Sequence, residues 1–559
     1  MTSGSSTWTS TSLSYPQTSM AVWAPSMAAT YGDRPAIVDG ERVYSYRELD
    51  EQSAQFACAL ASTGVEPGDV VLLHLGNCAE FHVAYYGALR VGAVVSPVNP
   101  LQPESELRRR IEETGAVAVV TGRQQFEILL RAQIDTTVGL IAVVSDEPVR
   151  GGNPATMRFS DVIAGQRSSF RPATVSPDDV AHIAYTGGTT GISKGVRVLH
   201  RNVVGNITQM CGWRAGHRLV TGRDGLVSLE PIDGKDVDGV VPGVGSTIVV
   251  APLFHAHALI NTSFLLMCGL TQVLSGRFDP ARVLEEIEQH RVSYITGTPA
   301  MWHALVTHPD ASSRDLSSVR VVSSGAAPID PGTLDNLRRA FTAARVVEGY
   351  GLTEATCLVT AAPLGVDSEC PVGSAGLPVF DTQIQIRALD DPATILEEGE
   401  RGELWVRGPQ VTDGYLGTPE MTARQFVDGW LATGDIAYRD ADGFVYIVGR
   451  SKDMLIYKGY NVYPRLLEEV AASHPSVSTV AVVGRDVGPA GEEPVAFVVP
   501  AGDATTDSDE LMAYVAERVL PYERIQEVMW VDALPTSAEG KILRNDLRER
   551  LRVKPVLSE

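Results

Sequence analysis

The sequence predicts an α/β protein. A large N-terminal body holds two doubly wound βα subdomains plus a small β-barrel, and an α+β C-terminal domain follows. Three observations predict this. Short apolar runs alternate with amphipathic stretches over the first 350 residues, the texture turns to short strands near residue 370, and helices and strands mix again after Gly449. At 559 residues the chain is too long for one core.

Residues 1–19, "MTSGSSTWTSTSLSYPQTS", lack both a basic start and an apolar core, so they read as a disordered tail and not as a signal peptide. "DVVLLHL" (69–75) is a strand and "AEFHVAYYGALRVG" (79–92) a helix. "AVVSPV" is the next strand, "PESELRRRIEETG" a helix, and "AVAVV" and "LIAVV" are strands. "DVAHIAY" (179–185) reads as a strand and "VLHRNVVGNITQM" (198–210) as a helix start. The pattern resumes with "TIVVAP", a helix from 258, "DPARVLEEIEQHRV" as a helix, "YITGTP", "VRVVSSG", a helix after Pro328 and "ARVVEGYG". "TQIQIRA", "GELWVRG" and "FVYIVGR" suggest the barrel. A helix (464–473), two strands (477–484, 493–499), a helix (509–519) and a late strand complete the C-terminal unit. The implied division is a tail (1–19), a body (20–449), a junction (450–453) and a C-terminal domain (454–559).

Composition narrows the function. A net charge of −22 argues against a nucleic-acid partner, whose phosphates recruit basic faces. Six scattered cysteines without a C-x-x-C pair suit reduced thiols in a cytoplasmic protein. No Asp, Glu, Lys or Arg occurs from Gly239 to Gly276. Pro252, His255, His257 and Asn261 interrupt that run, however, so a buried strand and helix are expected there and not a membrane span.

The chemistry begins at "YTGGTTGISKG" (185–195). Its bare backbone, hydroxyls and single lysine are the parts of a phosphate cradle. Gly/Thr/Ser clusters also mark plain connections, and Ser193 stands where a Walker-type loop needs glycine before the lysine. "SSGAAPI" (323–329) ends a strand in small residues against which a flat ligand can lie. "EGYGLTEAT" (348–356) sets Tyr350, Thr353 and Glu354 past the next strand, where open α/β sheets gather ligands. A turn-borne Asp435 suits a ribose diol, Arg450 a ribose oxygen or phosphate, and Lys541 sits in the glycine-bearing "PTSAEGKILRNDL".

Together with "APLFHAHAL", "DGWLATGD" and "GRSKDMLIYKGYNVYP", these segments resemble the adenylate-forming enzymes over nearly the whole chain, and most of all fatty-acyl and aryl-CoA ligases. The resemblance implies ATP, Mg²⁺ and CoA (as substrate), with a small-molecule carboxylic acid as the group activated. Thr186, Gly187, Gly188, Thr189, Thr190, Gly191 and Lys194 would hold the β- and γ-phosphates. Ala326, Ala327 and Tyr350 would form the adenine slot, and Gly325, Glu348, Gly349 and Gly351 would belong to the same ATP/AMP-binding set. Thr353 would contact the α-phosphate, Glu354 would hold the metal, and Asp435 and Arg450 would bind ribose. Lys541 would bridge the substrate carboxylate and the α-phosphate. His255 would stand between acyl pocket and thioester tunnel, with Lys458 and Gly459 on the pantetheine channel. Lys452 would be the hinge of a mobile lid. Ala256, His257, Gly349 and Cys357 would line the acyl pocket, and their modest size leaves room for a long or bulky acid. The resemblance admits a homodimer and fits lipid or secondary metabolism.

Two departures stand out. Ser193 replaces the family's proline before the lysine, and the run from His200 to His255 is about twenty residues longer than usual in the family. Its Gly/Asp-rich middle (222–246) reads as a tolerated surface insertion, with a flap over the acyl pocket as the sharper alternative. Loading of a carrier-protein thiol, a single half-reaction, a luciferase-like oxygenase and a catalytically dead nucleotide binder stay open as alternatives. The intact Lys541, Glu354 and Asp435 argue against the last.

Overall fold

The computed structural model describes residues 12–149, 155–186, 193–235, 237–325, 329, 331–365, 370–501, 507–536 and 542–553. Two large sheets form the body. In the first, the strands Ala155–Arg158, Leu140–Val144, Ala118–Gly122, Val70–His74, Val94–Pro97, Val180–Tyr185 and Gly195–Leu199 lie side by side in that order. All neighbours run parallel except the last pair. Val70–His74 is buried along its whole length, which is why it reads as an unbroken apolar run.

The second sheet has nine strands among the described residues. Its parallel centre carries Pro35–Asp39, Thr271–Leu274, Ser246–Val249, Tyr294–Gly297, Val321–Ser324 and Arg345–Gly351. The uncharged run resolves as expected into the strand Ser246–Val249 and the helix Ala256–Met267, both buried. Between the sheets lies the helix His200–Ala215, in which every residue but Arg201 is buried. Its polar side chains find partners inside: Asn202 donates to the carbonyls of Pro409 and Val411, Asn206 to Leu358, and Gln209 to Phe380.

Where the barrel is expected, Gln383–Arg387, Gly402–Arg407, Trp430–Arg439, Phe426–Val427 and Val445–Arg450 form an antiparallel sheet. No ladder among the described residues joins its outer strands, so closure is incomplete. In the C-terminal domain Val477–Asp486 pairs antiparallel with Glu492–Pro500, which in turn pairs parallel with Glu527–Trp530. Alternation along Val477–Asp486 divides its core. Val480 and Val482 face the helices Pro464–Ala472 and Ser508–Ala516, while Ala481 and Val483 face the helix Arg544–Val553. Among the described residues no helix is long and apolar enough to cross a membrane.

Three expectations need correction. Residues 12–19 are tied down: Leu13 is buried, its N–H donates to Asp381 at 2.9 Å, and the Tyr15 hydroxyl donates to the same carboxylate at 2.6 Å. The glycine loop does not lead from strand to helix, because the alternating "GVRVL" forms an antiparallel partner strand first and the helix begins at His200. The insertion is not simply a surface loop. Its hairpin (His217–Thr221 with Val227–Pro231) is exposed at the tip, yet Val227 and Val240 are buried in the central core.

Candidate active site

The glycine loop is clamped at its neck. The Thr186 N–H donates to the Lys194 carbonyl at 3.0 Å, and the Ser193 hydroxyl donates to the Thr186 carbonyl at 2.5 Å. A second strip of chain holds this neck: Arg197 N–H donates to Gly414 O and Leu416 N–H to Gly195 O. That strip brings Tyr415, whose ring centroid lies 5.0 Å from the Lys194 ammonium. The Tyr415 hydroxyl donates to Glu354 Oε1 at 2.8 Å, so one tyrosine links the loop cation to the carboxylate expected to hold a metal.

Thr353 and Glu354 open a single turn (Thr353–Ala355) just past the strand Arg345–Gly351. The turn is compact because Gly351 lets the chain double back. A Cβ there would stand 1.6 Å from the Cys357 carbonyl oxygen. The Glu354 carbonyl accepts from both the N–H and the hydroxyl of Thr412, which fixes its direction.

Beside this turn, register does the positioning. In the ladder between Trp430–Arg439 and Val445–Arg450, Asp435 stands opposite Arg450. Arg450 Nε donates to Asp435 Oδ1 at 3.1 Å, and the Tyr350 hydroxyl donates to Oδ2 at 2.5 Å. Asp435 is 4 % exposed, whereas the Arg450 side chain remains 46 % open. Burial and the Asp435 carboxylate push the Tyr350 phenol far above its usual value, so it stays a donor. The clamp presents an aromatic face, a carboxylate and an open guanidinium together. Glu348 lies further down the same strand, where it accepts from the Ile329 N–H and burial raises its carboxyl.

The opposite wall is made of small groups. His255 precedes the helix Ala256–Met267, its ring 4.3 Å from that of Phe254. The His257 ring bonds Thr296 at 2.8 Å and occupies the room left by Gly325, where a Cβ would meet its Cε1 at 3.1 Å. Asn261 reaches the Cys357 sulfur at 3.8 Å, and burial pushes that thiol up to about 12, so it is neutral. Gly349 completes this side.

The junction divides cleanly. Arg450 is bound to Asp435 in the body, while Asp453 is bound to Arg548 at 3.2 Å in the terminal helix. Lys452 lies between. Burial and then the Arg450 cation lower its pKa, with a smaller push from the Lys194 cation. Lys458 and Gly459 form the tip of the hairpin Leu455–Tyr457/Tyr460–Val462, and both take positive φ. The tip is held within the C-terminal domain, since Lys458 N–H donates to Ala490 O and Tyr460 stacks on Tyr522 at 4.2 Å.

The model of the AMP-binding enzyme family matches residues 25–416, and that of its C-terminal domain matches residues 466–541. The chain belongs to the AMP-binding enzymes. This enzyme is 34 % identical to a 4-coumarate–CoA ligase of Pinus taeda over 534 residues, 94 % of either chain. It is 33 % identical to a long-chain-fatty-acid–CoA ligase of Yersinia pestis, covering 93 % of this chain and 92 % of that one. Among solved structures, ATP-bound MatB from Rhodopseudomonas palustris superposes with a TM-score of 0.84 at 25 % identity, covering 96 % of the enzyme and 99 % of MatB. These matches put the enzyme in the adenylate-forming acyl-CoA synthetase branch.

Of the residues expected at the site, Thr186, Lys194, Tyr350, Thr353, Glu354, Asp435 and Arg450 converge. Gly187, Gly188, Thr189, Thr190, Gly191, Ala326, Ala327 and Lys541 lie outside the described residues. One residue of the site, Tyr415, does not emerge from the sequence. The signal for Tyr415 is slight, a lone aromatic between two glycine turns.

Proposed function

We propose that the enzyme is an AMP-forming acid–thiol ligase that activates a carboxylic acid with ATP and passes the acyl group to CoA. The observation that carries this reading is the single cluster made by Lys194, Tyr415, Glu354, Tyr350, Asp435 and Arg450 around the carboxyl end of the strand Arg345–Gly351. It offers cations for phosphates beside a buried carboxylate for a ribose diol.

In the first half-reaction a substrate carboxylate oxygen attacks the α-phosphorus. The bond to the β-phosphate oxygen breaks, and pyrophosphate leaves. Negative charge builds on the α-phosphate, where Lys541 and Thr353 donate. Glu354 would hold Mg²⁺. Tyr415 occupies its Oε1, and no cluster of three or more metal-ligating side chains occurs among the described residues, so such an ion would take most ligands from phosphate and water. When bound, it supplies positive charge to the phosphate oxygens. In the second half-reaction the CoA sulfur attacks the acyl carbon and AMP departs, with His255, Lys458 and Gly459 lining the thiol's approach. Lys452, between a body-bound Arg450 and an Asp453 bound to the terminal helix, serves as pivot between the two steps. Free cysteines, most of them buried, suit work in the cytoplasm, where CoA is available.

The test is ATP–pyrophosphate exchange across a panel of acids, followed by thioester formation with CoA. Acid-dependent exchange and acyl-CoA are the expected results. A protein that binds ATP but exchanges no pyrophosphate with any acid would overturn the reading.

A further inference from the structure

We infer that Arg214 is a specificity-determining residue that anchors a second carboxylate at the far end of the acid. The inference rests on the ligase reading above. Arg214 is 2 % exposed, and its Nε and Nη1 are buried without a hydrogen-bond partner. The same helix satisfies Asn202, Asn206 and Gln209 through neighbouring carbonyls, so Arg214 is an exception within its own element.

Its surroundings are those of the acyl end. Nη2 stands 3.7 Å from where a Cβ on Gly349 would lie, and the cation acts on the Cys357 thiol. The guanidinium carbon is 5.8 Å from the Tyr294 ring centroid. Tyr294 is 1 % exposed, and its hydroxyl is a further buried group without a partner. Along its strand, Tyr294 points to the same side as Thr296, which bonds His257. Unsatisfied donors thus collect beneath His257, Gly349 and Cys357.

An isolated buried charge is costly unless it is paired, and a guanidinium cannot shed its proton. Cys357 does not serve as the counter-ion, because burial keeps the thiol neutral. Nor does a carboxylate of the chain: no salt bridge among the described residues involves Arg214. A substrate carboxylate would take the Arg214 fork bidentately and could accept from Tyr294 as well, supplying the missing charge and the missing acceptors together.

The experiment measures kcat/KM in pyrophosphate exchange for matched pairs: succinate and butyrate, adipate and hexanoate, suberate and octanoate, terephthalate and 4-methylbenzoate. In the wild type, at least one diacid should exceed its monoacid partner by 10-fold or more. Arg214→Met should bring that ratio to 1 or below, and Arg214→Lys should keep part of it, with the KM for ATP within 3-fold throughout. Where Arg214→Met fails to fold, Arg214→Lys is read in its place: a reduced diacid ratio is expected, and an unchanged ratio overturns the inference. Exchange with monoacids and no diacid preference in the wild type would overturn the inference while leaving the ligase reading intact. A diacid preference untouched by Arg214→Met would overturn it too. No exchange with any acid would overturn the ligase reading itself and this inference with it.

Discussion

The nucleotide end and the acyl end of the molecule treat charge in opposite ways. At the nucleotide end, Asp435 is shared by Arg450 and Tyr350, and Glu354 is held by Tyr415. In the interior behind the acyl end, buried nitrogens of His82, His182 and Arg214 have no hydrogen-bond partner. The difference between these buried groups is instructive. An imidazole can give up its proton and stay neutral, at little cost above its ordinary pKa. A guanidinium cannot, so the same burial that quiets a histidine leaves Arg214 in need of an anion.

The largest expected effect breaks the neutral half of that comparison. Burial lowers His74, His82 and His200 to about 4 and His182 to about 3. Each stays neutral in the native state well below the pH at which the unfolded chain takes up a proton. The native state therefore loses nothing above about pH 6.5 and weakens as pH falls toward 4. At pH 5.5 each group costs on the order of 1 kcal/mol, so the four together cost several kcal/mol, comparable to the stability of a whole domain. Calorimetry at pH 7.5 and 5.5 should show a large fall in Tm. An unchanged Tm would mean that these imidazoles are not neutral in the native body.

Next comes the first half-reaction. If Lys541 is the donor proposed for the charge developing on the α-phosphate, Lys541→Ala should lower acyl-adenylate formation about 10³-fold. Conversion of synthetic acyl-AMP plus CoA to thioester should survive in the same variant, since that step needs access more than charge at phosphorus. Equal loss of both steps would argue against alternation about Lys452.

A smaller effect probes the nucleotide end alone. Asp435→Asn keeps the shape but removes the charge that Arg450 and Tyr350 both address. We expect kcat/KM for ATP to fall about 10- to 100-fold, the range for losing a charge-assisted hydrogen bond. The KM for the acid should stay within 3-fold. If the acid's KM moves as far as that of ATP, the two ends are not separate in the way the charges suggest.

Much of this is legible in the chain, and where it is not, the reasons are physical. Parallel strands buried on both faces, such as Val70–His74, announce themselves as apolar runs. Asp435 and Arg450 are readable because motif residues stand opposite each other on one ladder. "GVRVL" blends into a helix start, since alternation over five residues is short and a helix follows at once. Residues 12–19 look like tail because Ser/Thr composition outweighs one Leu and one Tyr. Yet Asp381, more than 360 positions away, receives both the Leu13 N–H and the Tyr15 hydroxyl. Arg214 escapes the sequence for a similar reason. Its meaning lies in what fails to surround it, and local sequence does not report that.

The smallest expected effect concerns the hairpin inserted just after Arg214. The chain returning from it packs on the end of the Arg214 helix: Val240 N–H donates to the Arg214 carbonyl at 2.8 Å, and a Cβ on Gly239 would meet that oxygen at 2.2 Å. Val227 is buried, and its N–H donates to the Ser26 hydroxyl at 3.0 Å. The tip is different, because residues 222–225 are exposed and Leu226 N–H bonds only the neighbouring Asp224. Removing two methyl groups at Val227→Ala should cost about 2 kcal/mol of stability through lost burial and the cavity left behind. Arg223→Ala at the tip should change stability by less than about 0.5 kcal/mol, as surface substitutions do. Denaturant melts of both variants test the first claim, and the KM for the acid in Arg223→Ala tests a second. A flap closing over the acyl end would need its tip to reach the substrate, so a more than 3-fold change in that KM would make the hairpin a lid. An unchanged value leaves it as a brace behind Arg214, acting through its buried base and not through its tip.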